Sequence, residues 1–334
     1  MAAAAMKPPA YASDFLASCG WAGARIEPLA GDASFRRYFR VTDGRRTAVL
    51  MDAPPAHEDV RPFVAVAEWL ISCGLSAPEI LARDLDRGLL LLGDFGNWRL
   101  REFLDDEPAS ERELYELATD VLIHLHQHPP MPGLPAHGID QWLSEVGLFT
   151  DWYCAALDLR VDRESFDSAW RTALQPVADD GLGPVTVLRD YHAENVMLVD
   201  GREGVTRFGL LDFQDALAGH PAYDLASVLE DARRDVPREI ERDMLDRYIG
   251  ATGQGEAFEH AYWAMAAQRN TRILGVFTRL WKRDGKPHYL QFQPRMWGLL
   301  ERDLERPGLE PVRAWFDQNV PTHARAAAWL DRAA

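Results

Sequence analysis

Apolar spacing changes character about a third of the way along the chain. From Asp32 to Val41 (DASFRRYFRV) the pattern alternates toward Phe35, Tyr38, Phe39 and Val41. After a turn at Asp43-Gly44, a second strand is predicted from Thr47 to Met51. Phe63, Val64, Val66, Ala67, Leu70 and Ile71 recur at helical spacing from Val60 to Ile71, ending near Gly74. Leu89 to Leu92 is apolar throughout, as a buried strand is, and Gly93-Asp94-Phe95-Gly96 follows it. Helical spacing then dominates. Ser110-Glu111-Arg112-Glu113 has the form of a capping box, and Leu114, Leu117, Val121, Leu122 and Leu125 continue one stripe. A Pro-rich connector, Pro129 to Pro135, precedes a helix predicted from Gln141 to Leu159. Short strands are predicted at Val185 to Leu188, Val196 to Val199 and Phe208 to Leu211, the last two as a hairpin. Beyond Pro221 the chain reads as helices, broken near Pro237, Gly250–Gly255, Asp284–Pro287 and Arg306–Gly308. The pattern predicts an α+β fold of two lobes, a β-rich one at residues 1–93 and a mainly helical one at 94–334, hinged near Gly93 to Gly96.

Composition narrows the class. The 334 residues exceed one small core, and 47% apolar with 26% charged residues is the balance of a soluble globular enzyme. A net charge of −16 argues against nucleic acid as a partner, since phosphate backbones demand a basic face. Cys19, Cys73 and Cys154 are far apart, which suits free thiols in a reducing compartment. MAAAAMKPPAY lacks a signal-like apolar core, and no apolar run would span a bilayer, so no membrane partner and a cytoplasmic location are expected.

Chemistry concentrates between Val187 and Asp215 (VLRDYHAENVMLVDGREGVTRFGLLDFQD). An apolar strand runs into Arg189-Asp190, Asn195 follows five residues after Asp190, and a hairpin delivers Asp212-Phe213. Phosphoryl transfer needs a carboxylate to position the attacking hydroxyl and oxygen ligands for Mg²⁺, all held rigidly. A lone D-x-x-x-x-N occurs by chance; joined to strand, hairpin, D-F-x-D and then GHPAYDLA (Gly219 to Ala226), it is specific.

This order resembles the catalytic loop and metal-binding segment of the protein-kinase superfamily, in its aminoglycoside and choline phosphotransferase branch. The resemblance implies a bilobal protein-kinase-like fold, ATP as co-substrate, Asp190 as base, and Asn195 and Asp212 as Mg²⁺ ligands. It implies that Asp224, from the family's G-x-P-x-x-D-L-A segment, braces the catalytic loop. Leu188-Arg189 replaces the usual stretch before the base, and Gln214 the usual glycine after Asp-Phe. GDASFRRYFRV, VLMDAPP, LLLLGDFG, DFQDALAGHPAYDLASVLEDARRDVP and QRNTRILGVFTRLWKRDGKPHYL look like one bacterial subfamily. It is similar to anomeric sugar kinases of peptidoglycan recycling, which phosphorylate the 1-hydroxyl of N-acetylmuramate and N-acetylglucosamine. A product passed to a uridylyltransferase is implied as well. The anomeric hydroxyl, acidified by the ring oxygen, needs only a weak base.

On the ATP side, the hairpin from Gly31 to Arg40 is expected to cover the phosphates, with backbone N–H groups of Ala33, Ser34, Phe35 and Arg36 as donors. Family members carry a cation on the next strand, which here reads Ala48-Val49-Leu50-Met51. Arg36, Arg37 and Arg40 are the substitutes, Arg36 foremost, and Glu68 would have paired the missing lysine. The adenine edge is expected at the backbone of Gly93, Asp94 and Phe95. Tyr191, Asp215, Arg233 and Arg272 are the substrate candidates, with Arg269 and Arg279 beside them; a forked guanidinium suits a carboxylate. Aminoglycoside, choline and homoserine acceptors stay open, as does a pseudokinase that binds without turnover. His192 and His220 near the aspartates raise a metal-dependent hydrolase as a further reading, though no metal-ligand spacing accompanies them.

Overall fold

The structure, a computed structural model, describes residues 6–29, 35–44 and 46–325. The chain divides into two units, Met1–Pro108 with Glu194–Ala216, and Ala109–Ala193 with Leu217–Ala334. Gly31, Ala33 and Ser34, expected at the nucleotide phosphates, lie outside the described residues.

The first unit is built on a five-stranded antiparallel sheet ordered β1-β2-β3-β5-β4. Its strands are β1 (Arg25–Pro28), β2 (Arg37–Thr42), β3 (Thr47–Asp52), β4 (Ile80–Asp84) and β5 (Leu89–Gly93). Alternation puts Phe39, Val41, Ala48, Leu50, Leu89 and Leu91 on one face, where they bury Phe15 and Leu16 of α1 (Ala12–Ser18) and Trp21. The other face carries the row Tyr38, Met51 and Leu90, paired across β2, β3 and β5. α2 (Arg61–Ser72) and α3 (Leu100–Asp106) complete the N-terminal segment. The hairpin of β8 (Val196–Leu198) and β9 (Phe208–Leu210) belongs to this unit. Ser76 bridges Gly209 and accepts the Leu210 N–H at 2.7 Å, while Trp98 accepts that of Leu198 at 2.8 Å. Pattern reading passes over α1, β1 and β4, since β1 is an exposed edge strand and β4 lacks an apolar alternation.

The second unit is helical: α4 (Glu111–His126), α5 (Ile139–Leu148), α6 (Arg163–Ala178), α7 (Ala222–Leu229), α8 (Arg238–Thr252), α9 (Glu256–Asp284), α10 (Gln293–Asp303), α11 (Glu310–Asn319) and α12 (Thr322–Arg325). A small sheet joins β6 (Ala136–His137), β10 (Leu217–Gly219) and β7 (Val185–Val187). α9 is the central rod, buried nearly all round from Ala261 to Thr278. Two expectations are corrected. The capping box at Ser110 does not form: Ser110 ends a 3₁₀ turn and makes no side-chain cap, and Glu111 pairs instead with Arg234 at 2.8 Å. The helix predicted from Gln141 to Leu159 starts at Ile139 and becomes a π-helical turn at Phe149–Cys154. Gly275 of α9 presses against the backbone at Leu148 and Phe149, where any side chain would collide, so the widened turn coincides with the helix contact. Among the described residues no helix is long and apolar enough to cross a membrane.

Candidate active site

Asp190 belongs to the helical unit, Asn195 and Asp212 to the sheet unit. In the helical unit, β7 ends in a three-residue turn: the Asp190 amide donates to the Leu188 carbonyl at 2.9 Å, with Arg189 between them at φ 71°. A bulky residue in the left-handed region costs energy and persists only when its surroundings impose it. Here they do. Fully buried Asp224 of α7 accepts the Leu188 N–H at 2.5 Å and the Arg189 N–H at 2.9 Å. Asp231, in the turn after α7, accepts the Ala193 N–H at 3.1 Å. One carboxylate therefore holds each end of the Leu188–Ala193 loop. Burial pushes the Asp224 carboxyl up to about 7, against the two amides that favour its charge.

The Arg189 side chain reaches Glu145 of α5 at 2.8 Å. Glu145 also receives Gln268 at 3.3 Å, stands 3.3 Å from His137 Nε2, and lies 3.8 Å from Arg272 of α9. Burial alone would raise Glu145; the His137 hydrogen bond and the charges of Arg272, His137 and Arg189 bring it down to about 2. Arg272 donates to the Tyr223 hydroxyl at 3.5 Å. Burial opposes the charge of Arg272, and Tyr223, Glu145 and Asp190 favour it. Arg269 is buried in the same field, donating to the Glu230 carbonyl at 3.3 Å.

Two substrate candidates fall elsewhere. Tyr191 is buried and donates its hydroxyl to the Ala118 carbonyl at 3.0 Å, so it ties the loop to α4. Arg233 lies 3.2 Å from His192 Nε2, while His220 stands 2.9 Å from Asp180. Both histidines that raised the hydrolase reading thus have protein partners. Among the described residues no group of three or more His, Cys, Asp or Glu side chains could hold a metal.

In the sheet unit, Asp212 follows β9 at φ 57°. Phe213 next to it is buried and stacks on Phe63 of α2, centroids 5.0 Å apart, which anchors the segment. Gln214 donates to Asp212 Oδ1 and to Asp215 Oδ2, each at 3.0 Å, so it gathers two carboxylates that would otherwise repel. Asn195 closes a 3₁₀ turn before β8, its carbonyl accepting the Leu211 N–H at 2.9 Å. An Asp carboxylate and an Asn amide are the hard oxygen donors that Mg²⁺ takes in small number, phosphate and water completing its shell.

The structure separates the three arginines. Arg37 pairs with buried Asp52, and Arg40 holds Asp94 at 2.8 Å and the Gly96 carbonyl at 2.7 Å. Arg36 lies 3.3 Å from Asp212 Oδ1. The Asp212 side chain is 43% exposed against 10% for Arg36, so the carboxylate keeps an open side. Continued alternation places Arg36 on the face of Tyr38 and Met51. Glu68 pairs with Arg83 at the surface, 3.3 Å away. The Asp94 carboxylate also caps the Gly96 N–H at 2.9 Å, and the Gly93 N–H is taken by the Glu79 carbonyl. Phe95 packs over Gly209, where a Cβ would stand 2.5 Å from its ring, and exposed Phe35 stacks on His57 at 4.5 Å.

Glu145 and Gln214 were not singled out from the sequence as site residues. Glu145 did leave a signal: a carboxylate inside the apolar run Trp142, Leu143, Val146 is unusual unless paired.

Residues 25–263 match the phosphotransferase enzyme family, and the chain belongs to it. A choline/ethanolamine kinase family protein from Mesorhizobium loti shares the fold, with a TM-score of 0.61 at 16% identity over 90% of this chain and 94% of that one. Nearer in sequence is the N-acetylmuramate/N-acetylglucosamine kinase of Caulobacter vibrioides, 36% identical over 93% of this chain and 96% of its own. The Pseudomonas aeruginosa kinase of the same name is 39% identical over 85% of each chain.

Proposed function

We propose that this protein transfers the γ-phosphoryl group of ATP to the anomeric 1-hydroxyl of N-acetylmuramate and N-acetylglucosamine. The observation that carries the reading is the 36% identity to a kinase of that name across 93% of the chain. Asp190 accepts the hydroxyl proton while the sugar oxygen bonds to the γ-phosphorus and the bond to the β,γ-bridging oxygen breaks, releasing ADP. The turn at Leu188–Asp190 and its Asp224 brace support this role, because a base must be held where the hydroxyl arrives. Asn195 and Asp212 would hold Mg²⁺, which when bound neutralises charge on the phosphate oxygens. Arg36 supplies the phosphate-facing cation in place of a β3 lysine, beside backbone donors of Phe35 and of the preceding loop. The backbone of Asp94 and Phe95 meets adenine, and Arg272 with Asp215 meets the sugar. A sugar 1-phosphate so formed is a substrate for a uridylyltransferase, which fits peptidoglycan recycling in the cytoplasm.

The test is ATP turnover with Mg²⁺ against both N-acetyl sugars, choline and kanamycin, with ³¹P NMR to locate the phosphate. Phosphate on the anomeric oxygen is expected, with Asp190→Asn lowering turnover by roughly 10²–10⁴-fold. Turnover of choline or kanamycin alone would discard the sugar. Met51, apolar where a cation is usual, favours a second reading, a pseudokinase, which silence on every acceptor would support.

A further inference from the structure

Arg279 of α9 makes no ion pair among the described residues. It is partly buried, and its Nε is buried without a hydrogen-bond partner among the described residues. Burial, Arg283 and Arg272 all oppose its charge, and the carboxylate that favours it, Asp284, is bound to Arg283 at 2.7 and 2.9 Å. Arg272 stands seven residues earlier, two turns along the same face. That guanidinium is anchored by Glu145 and Tyr223, and Asp190 favours its charge. A stripe of two guanidinia thus leads away from the candidate base, and among the described residues its far member has no carboxylate of its own. Like charges held together in a partly dry place are costly unless an anion joins them.

We propose that Arg279, together with Arg272, receives the lactyl carboxylate of N-acetylmuramate, and that Arg279 sets the preference between this acidic sugar and neutral N-acetylglucosamine. The proposal rests on the sugar-kinase reading above. The two sugars differ by the lactyl ether on O3, so a group acting on that carboxylate alters one substrate and spares the other. A guanidinium fork matches a carboxylate with two parallel N–H donors.

Kinetics of Arg279→Met and Arg279→Lys with each sugar at saturating Mg²⁺ and ATP, and with ATP varied at saturating sugar, test it, with calorimetric binding of N-acetylmuramate as an activity-free readout. Arg279→Met is expected to weaken N-acetylmuramate, in KM and in binding, by about 10- to 100-fold, the effect of removing a charge-assisted hydrogen bond. KM for N-acetylglucosamine and for ATP should stay within about twofold, since neither meets Arg279. Arg279→Lys, which keeps the charge without the fork, should fall between. The methyl ester of N-acetylmuramate should bind wild type at least as weakly as the acid binds Arg279→Met, since it loses the charge that Arg272 meets as well. Equal losses with both sugars, no loss, or a rise in KM for ATP would each overturn the assignment, the last by giving the anion to the nucleotide. Wild-type protein inactive on both sugars would remove the underlying reading instead, a separate result that needs no variant.

Discussion

At the scale of single residues, the Leu188–Ala193 loop is a strained segment held by buried acceptors. Arg189 at φ 71° and Asp212 at φ 57° both occupy the left-handed region, at a cost of about 1–3 kcal/mol each. At Arg189 the strain persists because Asp224 accepts the N–H groups of Leu188 and Arg189 on the two sides of the turn. Asp224 is the residue on which the first turn depends. Replacing it by Asn leaves one oxygen for two N–H donors and turns an amide N–H₂ toward one of them. Asp224→Asn is expected to lower kcat by about 10–100-fold, while KM for ATP and sugar stays within about threefold, because the base shifts but the binding groups do not. Steady-state kinetics beside a thermal melt decides this, and an unchanged kcat would mean that the loop holds its shape without the brace. The sequence displayed Asp190, Asn195, Asp212 and Asp224 through their spacing. It could not display Arg189 as the strained residue, since nothing in an Arg side chain announces a positive φ.

Among elements, β6, α5, β7 and α9 meet through one buried carboxylate. Glu145 receives Arg189 from the end of β7, Gln268 and Arg272 from α9, and faces His137 of β6. Removing the charge strands two guanidinia, a loss of about 3–5 kcal/mol by analogy with other broken buried pairs. The pH dependence follows from the depressed folded-state value of about 2 against an ordinary 4.5. A lowered acid contributes stability fully above its unfolded value and loses it as pH falls toward the folded one. The stability gap between wild type and Glu145→Gln, measured by urea unfolding, should therefore be constant at pH 6 to 7 and narrow as pH falls below about 4.5. A gap independent of pH would mean that Glu145 acts by shape alone. Apolar periodicity found most helices of this unit, including the breaks around α8 and α9. The π-turn at Phe149–Cys154 escaped it, because it lies where Gly275 of another helix packs on this backbone, a contact that local spacing does not report.

For the whole molecule, the division of the chain into units does not follow sequence order. The sheet unit takes Glu194–Ala216 from the middle of the chain, with Phe213 stacked on Phe63 and Ser76 tied to the β8–β9 hairpin. A fragment of residues 1–108 should accordingly show no cooperative thermal transition, because Phe63 loses its buried partner and Ser76 its bridge. A sharp two-state melt of that fragment by circular dichroism would refute this. The sequence by itself determined the run of strands and helices, the order of the chemical residues and membership in a phosphotransferase family. Each of these is carried by residues close together, where periodicity and spacing report directly. Only the tertiary structure decided which of Arg36, Arg37 and Arg40 faces Asp212, that Glu145 gathers Arg189 and Arg272, and that Arg279 Nε is buried without a hydrogen-bond partner among the described residues. Those facts depend on contacts such as Arg36 with Asp212, 176 residues apart, and no local pattern encodes which of three neighbouring arginines a distant carboxylate will meet.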